Sequence, residues 1–267
     1  MPFFSVIIPT YNRAEILTRA LNSIINQSFS DWEMIVVDDG SNDNTKEIVQ
    51  VFLKDCRVKY IPQENQGVCA ARNLGSENSK GNYIAFLDSD DYVSESWLID
   101  FYNEIQKSKA NIVRCKTMVN NVPEKESQDL LAGNFSVERN LFLEAGKYDF
   151  NLKFGENTEL KWRFEERKCI ISYISKYNFF YDNDLTSNTD KKKENQIEFT
   201  YYVLSKHQNL FKKNKRWKQI VYQIAGVNCL QLGRINEGRS LMWKGYFSNP
   251  KHLKSLFRAI KYSVNKA

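Results

Sequence analysis

The chain has 267 residues, of which 42% are hydrophobic and 26% charged, with a formal net charge of +6. This balance excludes a disordered chain or a collagen-like fibre, and a chain of this length buries enough surface to fold without a metal or a disulfide framework. The only two histidines, His207 and His252, disfavour any mechanism that needs a histidine base or several histidine ligands.

The first 115 residues alternate predicted strands with predicted helices. Short apolar runs predict strands at Phe4–Ile8, Trp32–Val37, Val58–Ile61, Tyr83–Leu87 and Ile112–Cys115. Helical spacing or capping residues predict helices at Ile16–Ile25, after the Asn44/Glu47 pair, at Gly67–Ser76 and from Ser94 to about Lys107. Strands that alternate with helices predict an α/β fold, with a mostly parallel sheet and helices on both faces.

The second half of the chain has a weaker pattern. Polar residues without periodicity predict a mobile loop over 118–135 and a linker over Asp182–Asn195. Between them we predict helices at Ser136–Gly146 and Glu156–Lys168 and strands at Ile170–Ile174 and Asn178–Tyr181. From Gln196 onward the pattern is helical, so we predict two domains, an α/β domain over 1–185 and a helical region over 186–267.

Charge is divided unevenly along the chain. Residues 189–267 hold 17 Lys or Arg against 4 Asp or Glu, a net charge of +13, whereas the preceding residues carry −7. Such a division suggests two parts with two different partners.

Several features indicate a cytoplasmic protein. The five cysteines are odd in number and widely spaced, which fits free thiols in a reducing compartment. The first residues lack the basic and long apolar segments of a signal peptide, and no run of 18 apolar residues occurs.

Two acidic clusters follow predicted strands. Asp38 and Asp39 come after the second strand, and Asp88-Ser89-Asp90-Asp91 comes after the fourth. Ligands of parallel α/β sheets bind beyond the carboxyl ends of the strands, and Mg²⁺ or Mn²⁺ prefers carboxylate oxygens that it shares with substrate phosphates. The alternative is ordinary turn chemistry, because Asp and Ser favour loops after strands.

Four motifs in order then suggest a family. They are Phe4–Arg13 (FSVIIPTYNR), Ile35–Ser41 (IVVDDGS), Asn65–Gly75 (NQGVCAARNLG) and Tyr83–Asp91 (YIAFLDSDD). Together they resemble the family-2 glycosyltransferases, inverting enzymes of the Rossmann-like GT-A fold that use nucleotide sugars. The resemblance covers about residues 3–181.

The resemblance implies a set of site residues. Pro9, Tyr11 and Asp39 would line the nucleotide-base pocket, with Asp38 beside them. The other positions that it implies are Arg72 at the diphosphate, Asp88 and Ser89 toward the nucleotide sugar, and Asp88 and Asp90 as the D-x-D motif that holds Mn²⁺ or Mg²⁺. The alternatives are a surface ion pair for Arg72 and simple packing for Tyr11.

One position departs from the family pattern. The family usually places its base in a Glu-Asp pair at the start of a helix, but here the pair is Glu156-Asn157, and an amide cannot act as a base. The adjacent Glu156 is therefore our candidate, with Glu159 as the second choice. Alternatively, Glu156 only stabilises the helix N-terminus, and the protein binds nucleotide sugars or serves in assembly without catalysis.

The basic C-terminal region has two interpretations. Its aromatic and basic residues either pack and face solvent, or bind an anionic membrane surface at the inner face of the membrane. The Q-x-x-R-W motif of the processive synthases of the family is incomplete, because Lys213 stands where Gln would be. The resemblance thus implies transfer of a single sugar from a nucleotide-diphosphate sugar to a glycan or lipid-linked acceptor in bacterial surface glycan or polysaccharide assembly. We expect no nucleic acid partner.

Overall fold

The computed structural model describes residues 1–124, 130–181 and 189–264. The chain divides into two compact units. The first comprises Met1–Asn151 with Glu156–Asp184, and the second comprises Leu152–Gly155 with Leu185–Ala267. The short segment Leu152–Gly155 therefore belongs to the C-terminal unit although it lies within the N-terminal part of the sequence.

Within the described residues, nine strands of the first unit form one sheet. They are β1 (Phe4–Thr10), β2 (Trp32–Asp38), β3 (Val58–Pro62), β4 (Tyr83–Phe86), β5 (Tyr92–Val93), β6 (Ile112–Val119), β7 (Val122–Pro123), β8 (Phe135–Glu138) and β9 (Ile171–Tyr181). The order across the sheet is β3-β2-β1-β4-β8-β6-β9-β5, and β7 pairs with β6.

The strands that carry the sequence motifs are parallel. β1 pairs in parallel with β2 and β4, and β2 pairs in parallel with β3, so the carboxyl ends of these four strands meet at one edge of the sheet. β8 is antiparallel to both β4 and β6. At the end of β1, Thr10 is in register with Asp38, so the first two motifs emerge side by side.

Helices cover both faces of this sheet, as the alternating pattern predicts. They are α1 (Ala14–Ile25), α2 (Thr45–Phe52), α3 (Val68–Glu77), α4 (Trp97–Ser108), α5 (Arg139–Glu144) and α6 (Glu156–Glu166). Because side chains of a strand alternate between faces, Val6 and Ile8 pack with residues of α1 and α4, and Ile7 packs with residues of α3, α5 and α6. The predicted α/β fold is confirmed, and the sheet is mixed, with four parallel and four antiparallel strand pairs among the described residues.

Three local predictions need correction. Ser136 begins no helix but lies inside β8, where its hydroxyl donates to the carbonyl of Ile84 while Phe135 and Val137 enter the core on the other face. Asn44 makes no side-chain cap for α2, because Asp43 accepts the hydrogen bond from the backbone N–H of Thr45. The two strands predicted over 170–181 form the single strand β9.

The predicted loop and linker are partly regular structure. β7 lies inside the predicted loop over 118–135, whose residues 125–129 are outside the described part of the chain. The second half of the predicted linker is helical, because α7 (Thr189–Lys206) already begins there, while residues 182–188 are outside the described part.

The second unit is helical. Besides α7 it contains α8 (Gln208–Lys213), α9 (Lys215–Gln231), α10 (Ile235–Ser248) and α11 (Leu253–Val264). Ile197, Ala225, Cys229 and Leu241 form its apolar core. Across the described ranges, no helix of the chain combines the length and the apolar content that crossing a membrane requires.

Candidate functional site

A cleft of about 440 Å³ opens beyond the carboxyl ends of β1 and β4 and at the start of α3. Residues of all four sequence motifs line it, so the parallel register gathers positions that are distant in the sequence. The predicted site residues among them are Pro9, Tyr11, Asp39, Asp88, Ser89 and Asp90. Sequence reasoning missed Arg13, Asn65 and Gly67, which lie inside the same motifs and also line the cleft.

Asp39 joins the cleft to the loop before α3. Its carboxylate is only 4% exposed and accepts three hydrogen bonds, from Nε2 of Gln63 at 2.6 Å and from the backbone N–H groups of Gln66 and Gly67 at 2.8 Å. Gly67 has a φ of +90°, a conformation that suits glycine, and it ends this loop immediately before α3. Asp39 therefore shapes one wall of the cleft.

Asp38 lies beside the cleft and does not line it. Its Oδ1 accepts the backbone N–H of Ser41 at 2.9 Å, and its Oδ2 accepts the hydroxyl of Tyr60 at 2.6 Å. Burial, and then the hydrogen bond to Asp38, raise the pKa of Tyr60, so this phenol remains a donor. Through these hydrogen bonds Asp38 stabilises the turn after β2.

Tyr11 lies at the cleft with 45% of its surface exposed. This exposure contradicts a role in core packing and leaves the ring available to a ligand. An exposed aromatic face beside a cleft is suited to stacking against a nucleotide base.

Arg72 connects the acidic cluster after β4 to the start of α6. Its side chain is only 3% exposed, and Nη2 donates to Oδ1 of Asp88 at 2.7 Å while Nη1 donates to Oε1 of Glu156 at 3.1 Å. The guanidinium also lies 5.2 Å from the centre of the Tyr148 ring. Arg72 is thus a buried bridge between two carboxylates, which contradicts the alternative of a surface ion pair.

Glu156 and Asn157 form a hydrogen-bonded pair in the first turn of α6. Nδ2 of Asn157 donates to Oε1 of Glu156 at 3.2 Å, and Oδ1 of Asn157 accepts the hydroxyl of Tyr148 at 2.8 Å. Oε1 of Glu156 thereby receives two donors, whereas its Oε2 has no donor within the described part of the chain. The Glu156 side chain is 17% exposed, so this second oxygen can meet a ligand.

Glu159 forms a buried ion pair with Arg163. Its side chain is fully buried, and Oε2 accepts from Nε and Nη2 of Arg163 at 2.9 Å and 2.6 Å. Arg163 also donates to the carbonyl of Ala145. Both residues of the pair belong to α6, and Glu159 cannot contact a substrate because its side chain is buried. The geometry therefore favours Glu156 as the candidate base.

The chemistry of Asp88 and Asp90 fits a divalent cation that also binds substrate phosphates. Both carboxylates line the cleft. Burial, followed by the nearby Asp88, raises the pKa of Asp90, so the negative charge of this carboxylate is disfavoured where it stands. The described residues contain no group of three or more His, Cys, Asp or Glu able to hold a metal by themselves, so phosphate and water oxygens would have to complete the ligand set.

Known proteins are similar to parts of this chain. An uncharacterized glycosyltransferase of Rickettsia bellii is 30% identical in a 235-residue alignment that covers 75% of this chain and 32% of that protein. Chondroitin synthase of Escherichia coli is 33% identical in a 177-residue alignment that covers 58% of this chain and 25% of that protein. The chain therefore spans a third or less of the length of these two relatives.

A solved structure shares the fold. The crystal structure of S. aureus TarS 1-349 in complex with UDP-GlcNAc has a TM-score of 0.71 and 20% identity, covering 91% of this chain and 81% of that one. The family described as glycosyl transferase family 2 matches residues 5–185, more than half of the chain. On this evidence the chain belongs to glycosyl transferase family 2.

Proposed function

We propose that the protein is an inverting glycosyltransferase that moves a single sugar from a nucleotide-diphosphate sugar to an acceptor hydroxyl. The observation that carries this proposal is the buried bridge of Arg72, which joins Asp88 in the cleft to Glu156 at the start of α6. The bridge links carboxylates suited to a metal and a diphosphate with a carboxylate suited to proton transfer. A protein of the same fold that binds UDP-GlcNAc supports this choice of donor class.

The donor would occupy the cleft from the base end to the diphosphate end. Tyr11, Pro9 and Asp39 provide the base end, and Asp88, Ser89 and Asp90 provide the diphosphate end. When bound at Asp88 and Asp90, Mn²⁺ or Mg²⁺ would offset the negative charge that develops on the departing nucleoside diphosphate.

Glu156 would act as the base. As the acceptor oxygen forms its bond to the anomeric carbon, the bond to the diphosphate oxygen breaks and the acceptor proton passes to Oε2 of Glu156. Attack on the face opposite the leaving group inverts the anomeric centre. Arg72 and Asn157 both donate to Oε1 and so orient the carboxylate for this transfer.

The test is single-turnover transfer by the Glu156→Gln variant at saturating donor. We expect a loss of about 10²-fold or more, because Gln cannot take the proton, while donor binding persists. Glu166→Gln, at the exposed far end of α6, is the matched control and should transfer at the wild-type rate. Near-wild-type turnover by Glu156→Gln would place the base elsewhere.

Asn157 supports a second candidate function, a nucleotide-sugar-binding or assembly protein without catalysis. An Asp at this position could not donate to Glu156 and would place a second carboxylate beside it, so Asn157→Asp changes both the charge and the hydrogen bonding of the pair. We expect this substitution to have a smaller effect than Glu156→Gln. Donor binding without turnover by the wild-type protein, whatever the acceptor, would favour the binding function.

We propose that the protein takes part in bacterial surface glycan or polysaccharide assembly. It would act on a glycan or lipid-linked acceptor at the cytoplasmic face of the membrane. A relative named chondroitin synthase supports a polysaccharide role. The five cysteines form no disulfide, which suits a reducing compartment. The net charge of +13 over residues 189–267 supports attraction to an anionic membrane surface.

A further inference from the structure

Helix α11 reverses the usual burial of large and small side chains. Its small residues Ser255 and Ala259 are 0% and 1% exposed, whereas Leu253, Phe257 and Ile260 are 63%, 70% and 43% exposed. The last three are spaced i, i+4 and i+7, so they lie along one face of the helix. We name these three side chains the α11 ridge.

The orientation of the ridge is set by contacts on the opposite side of α11. Nε of Arg239 donates to the carbonyl of Tyr262 at 2.9 Å, and Nε1 of Trp243 donates to Oγ of Ser263 at 3.0 Å. Both donors belong to α10, which α11 approaches closely because its buried residues are small. The ridge therefore points outward as a consequence of packing within the second unit.

Cations flank the ridge. Lys254, Arg258 and Lys261 each directly follow a ridge residue, and all three are exposed. From Lys251 to Val264 the sequence has no acidic residue. An apolar ridge with adjacent cations complements an anionic bilayer surface, where acyl chains lie beneath negatively charged headgroups. A second copy of α11 would instead bring like charges together.

We propose that α11 binds an anionic membrane by inserting the ridge among the acyl chains while Lys254, Arg258 and Lys261 contact the headgroups. This inference rests on the membrane location in the proposed function and deepens it, because it names the element and the mode of binding. Electrostatic attraction by the whole basic region would need no exposed apolar residue. Insertion requires the ridge.

The experiment is sedimentation of the full chain with vesicles of phosphatidylglycerol and phosphatidylcholine in equal parts. We expect Phe257→Ser to lower the partition coefficient by about tenfold or more, because a buried Phe side chain contributes at least this much. Phe150→Ser is the matched control, since Phe150 is 68% exposed but lies in the first unit. It should bind vesicles as the wild type does.

High salt separates insertion from charge. In about 1 M NaCl, where the Debye length is about 3 Å, the wild type should retain binding that Phe257→Ser lacks. Equal binding of the two proteins in both salt conditions would overturn the inference. A wild-type dimer that Phe257→Ser converts to a monomer in vesicle-free sedimentation would assign the ridge to a second copy and would also overturn it.

Two further measurements distinguish failure of this inference from failure of the proposed function. If replacing Lys212 and Lys213 by Glu abolishes vesicle binding and Phe257→Ser does not, charge alone binds the membrane and the role of α11 is refuted. Sugar transfer to a water-soluble acceptor, measured on the same variants, reports the enzyme separately. Transfer without any vesicle binding by the wild type would refute the membrane location and leave the transferase intact.

Discussion

At the scale of single residues, Arg72 determines how charge is distributed in the site. It is buried, and its single positive charge is shared between the carboxylates of Asp88 and Glu156. Asp90 has only a more distant and exposed ion-pair partner, because Nη2 of Arg13 lies 3.7 Å from its Oδ2 and the two side chains are 49% and 42% exposed. Arg19 donates to the backbone carbonyl of Asp90. The two carboxylates of the D-x-D motif therefore differ, and Asp90 is the one whose charge a cation would compensate.

Asp90→Asn should have opposite effects on stability and on binding. Burial and the nearby Asp88 raise the pKa of Asp90, so its charge is disfavoured in the folded chain, and in a chelator the variant should have a higher free energy of unfolding. Urea unfolding tests this. By calorimetry, the same variant should bind nucleoside diphosphate with Mn²⁺ more weakly than the wild type.

Asp31→Asn, at an exposed position, is the control for both measurements and should change neither. Equal affinity of Asp90→Asn and the wild type with Mn²⁺ present would remove Asp90 from the site.

At the scale of elements, α3 is the helix that positions the site. It begins after Gly67, carries Arg72 in its middle, and packs against β1 at Gly75. A Cβ atom built on Gly75 would lie 2.5 Å from Cγ2 of Ile7, a distance that real side chains do not tolerate. The helix can approach β1 this closely only with glycine at this position.

Gly75→Ala should therefore destabilise the fold and displace Arg72. Overpacking of a core contact costs about 1–3 kcal/mol, whereas Ala at an exposed helical position gains up to about 1 kcal/mol over Gly, so the sign of the change tests the packing. Urea unfolding measures it. Single-turnover transfer should fall as well, because Arg72 lies one turn away from the clash. A more stable Gly75→Ala variant would show that α3 can move from β1 at no cost.

At the scale of the whole molecule, the two parts of the chain carry opposite net charge. The net charge is −7 over the first 188 residues and +13 over residues 189–267. The total of +6 does not show this difference between the two parts. The cleft and the α11 ridge lie in different units, so donor binding and membrane binding can be measured independently.

A thermal-shift series with nucleotide sugars and Mn²⁺ should identify the donor. A ligand at 100-fold its dissociation constant adds about 2.7 kcal/mol to the stability of the folded state, which is enough to raise the Tm measurably. A chelator should abolish the shift if the cation is part of the site. The free sugar without a nucleotide is the control and should give no shift. The same Tm with every nucleotide sugar would argue against a donor site in the cleft.

The sequence by itself determined the order of strands and helices from β1 to β4 and the edge of the sheet at which the cleft lies. Apolar runs and helical spacing are local patterns, and acidic residues at the carboxyl ends of β2 and β4 lie at the same edge of the sheet because both strands are parallel to β1. Residues predicted for the cleft, such as Asp39 and Asp90, were found there for this reason.

The tertiary structure alone decided which side chains meet. Glu156 reaches Arg72 across 84 residues of sequence, and no local pattern encodes that pairing. The local sequence predicts that a helix begins at Ser136. In the structure β4 and β6 pair with β8 on its two sides, so Ser136 lies in a strand. The spacing of residues in α11 predicts a helix but does not show which of its faces is buried. In the structure the face with the small residues Ser255 and Ala259 is buried by close packing, so the large residues face outward.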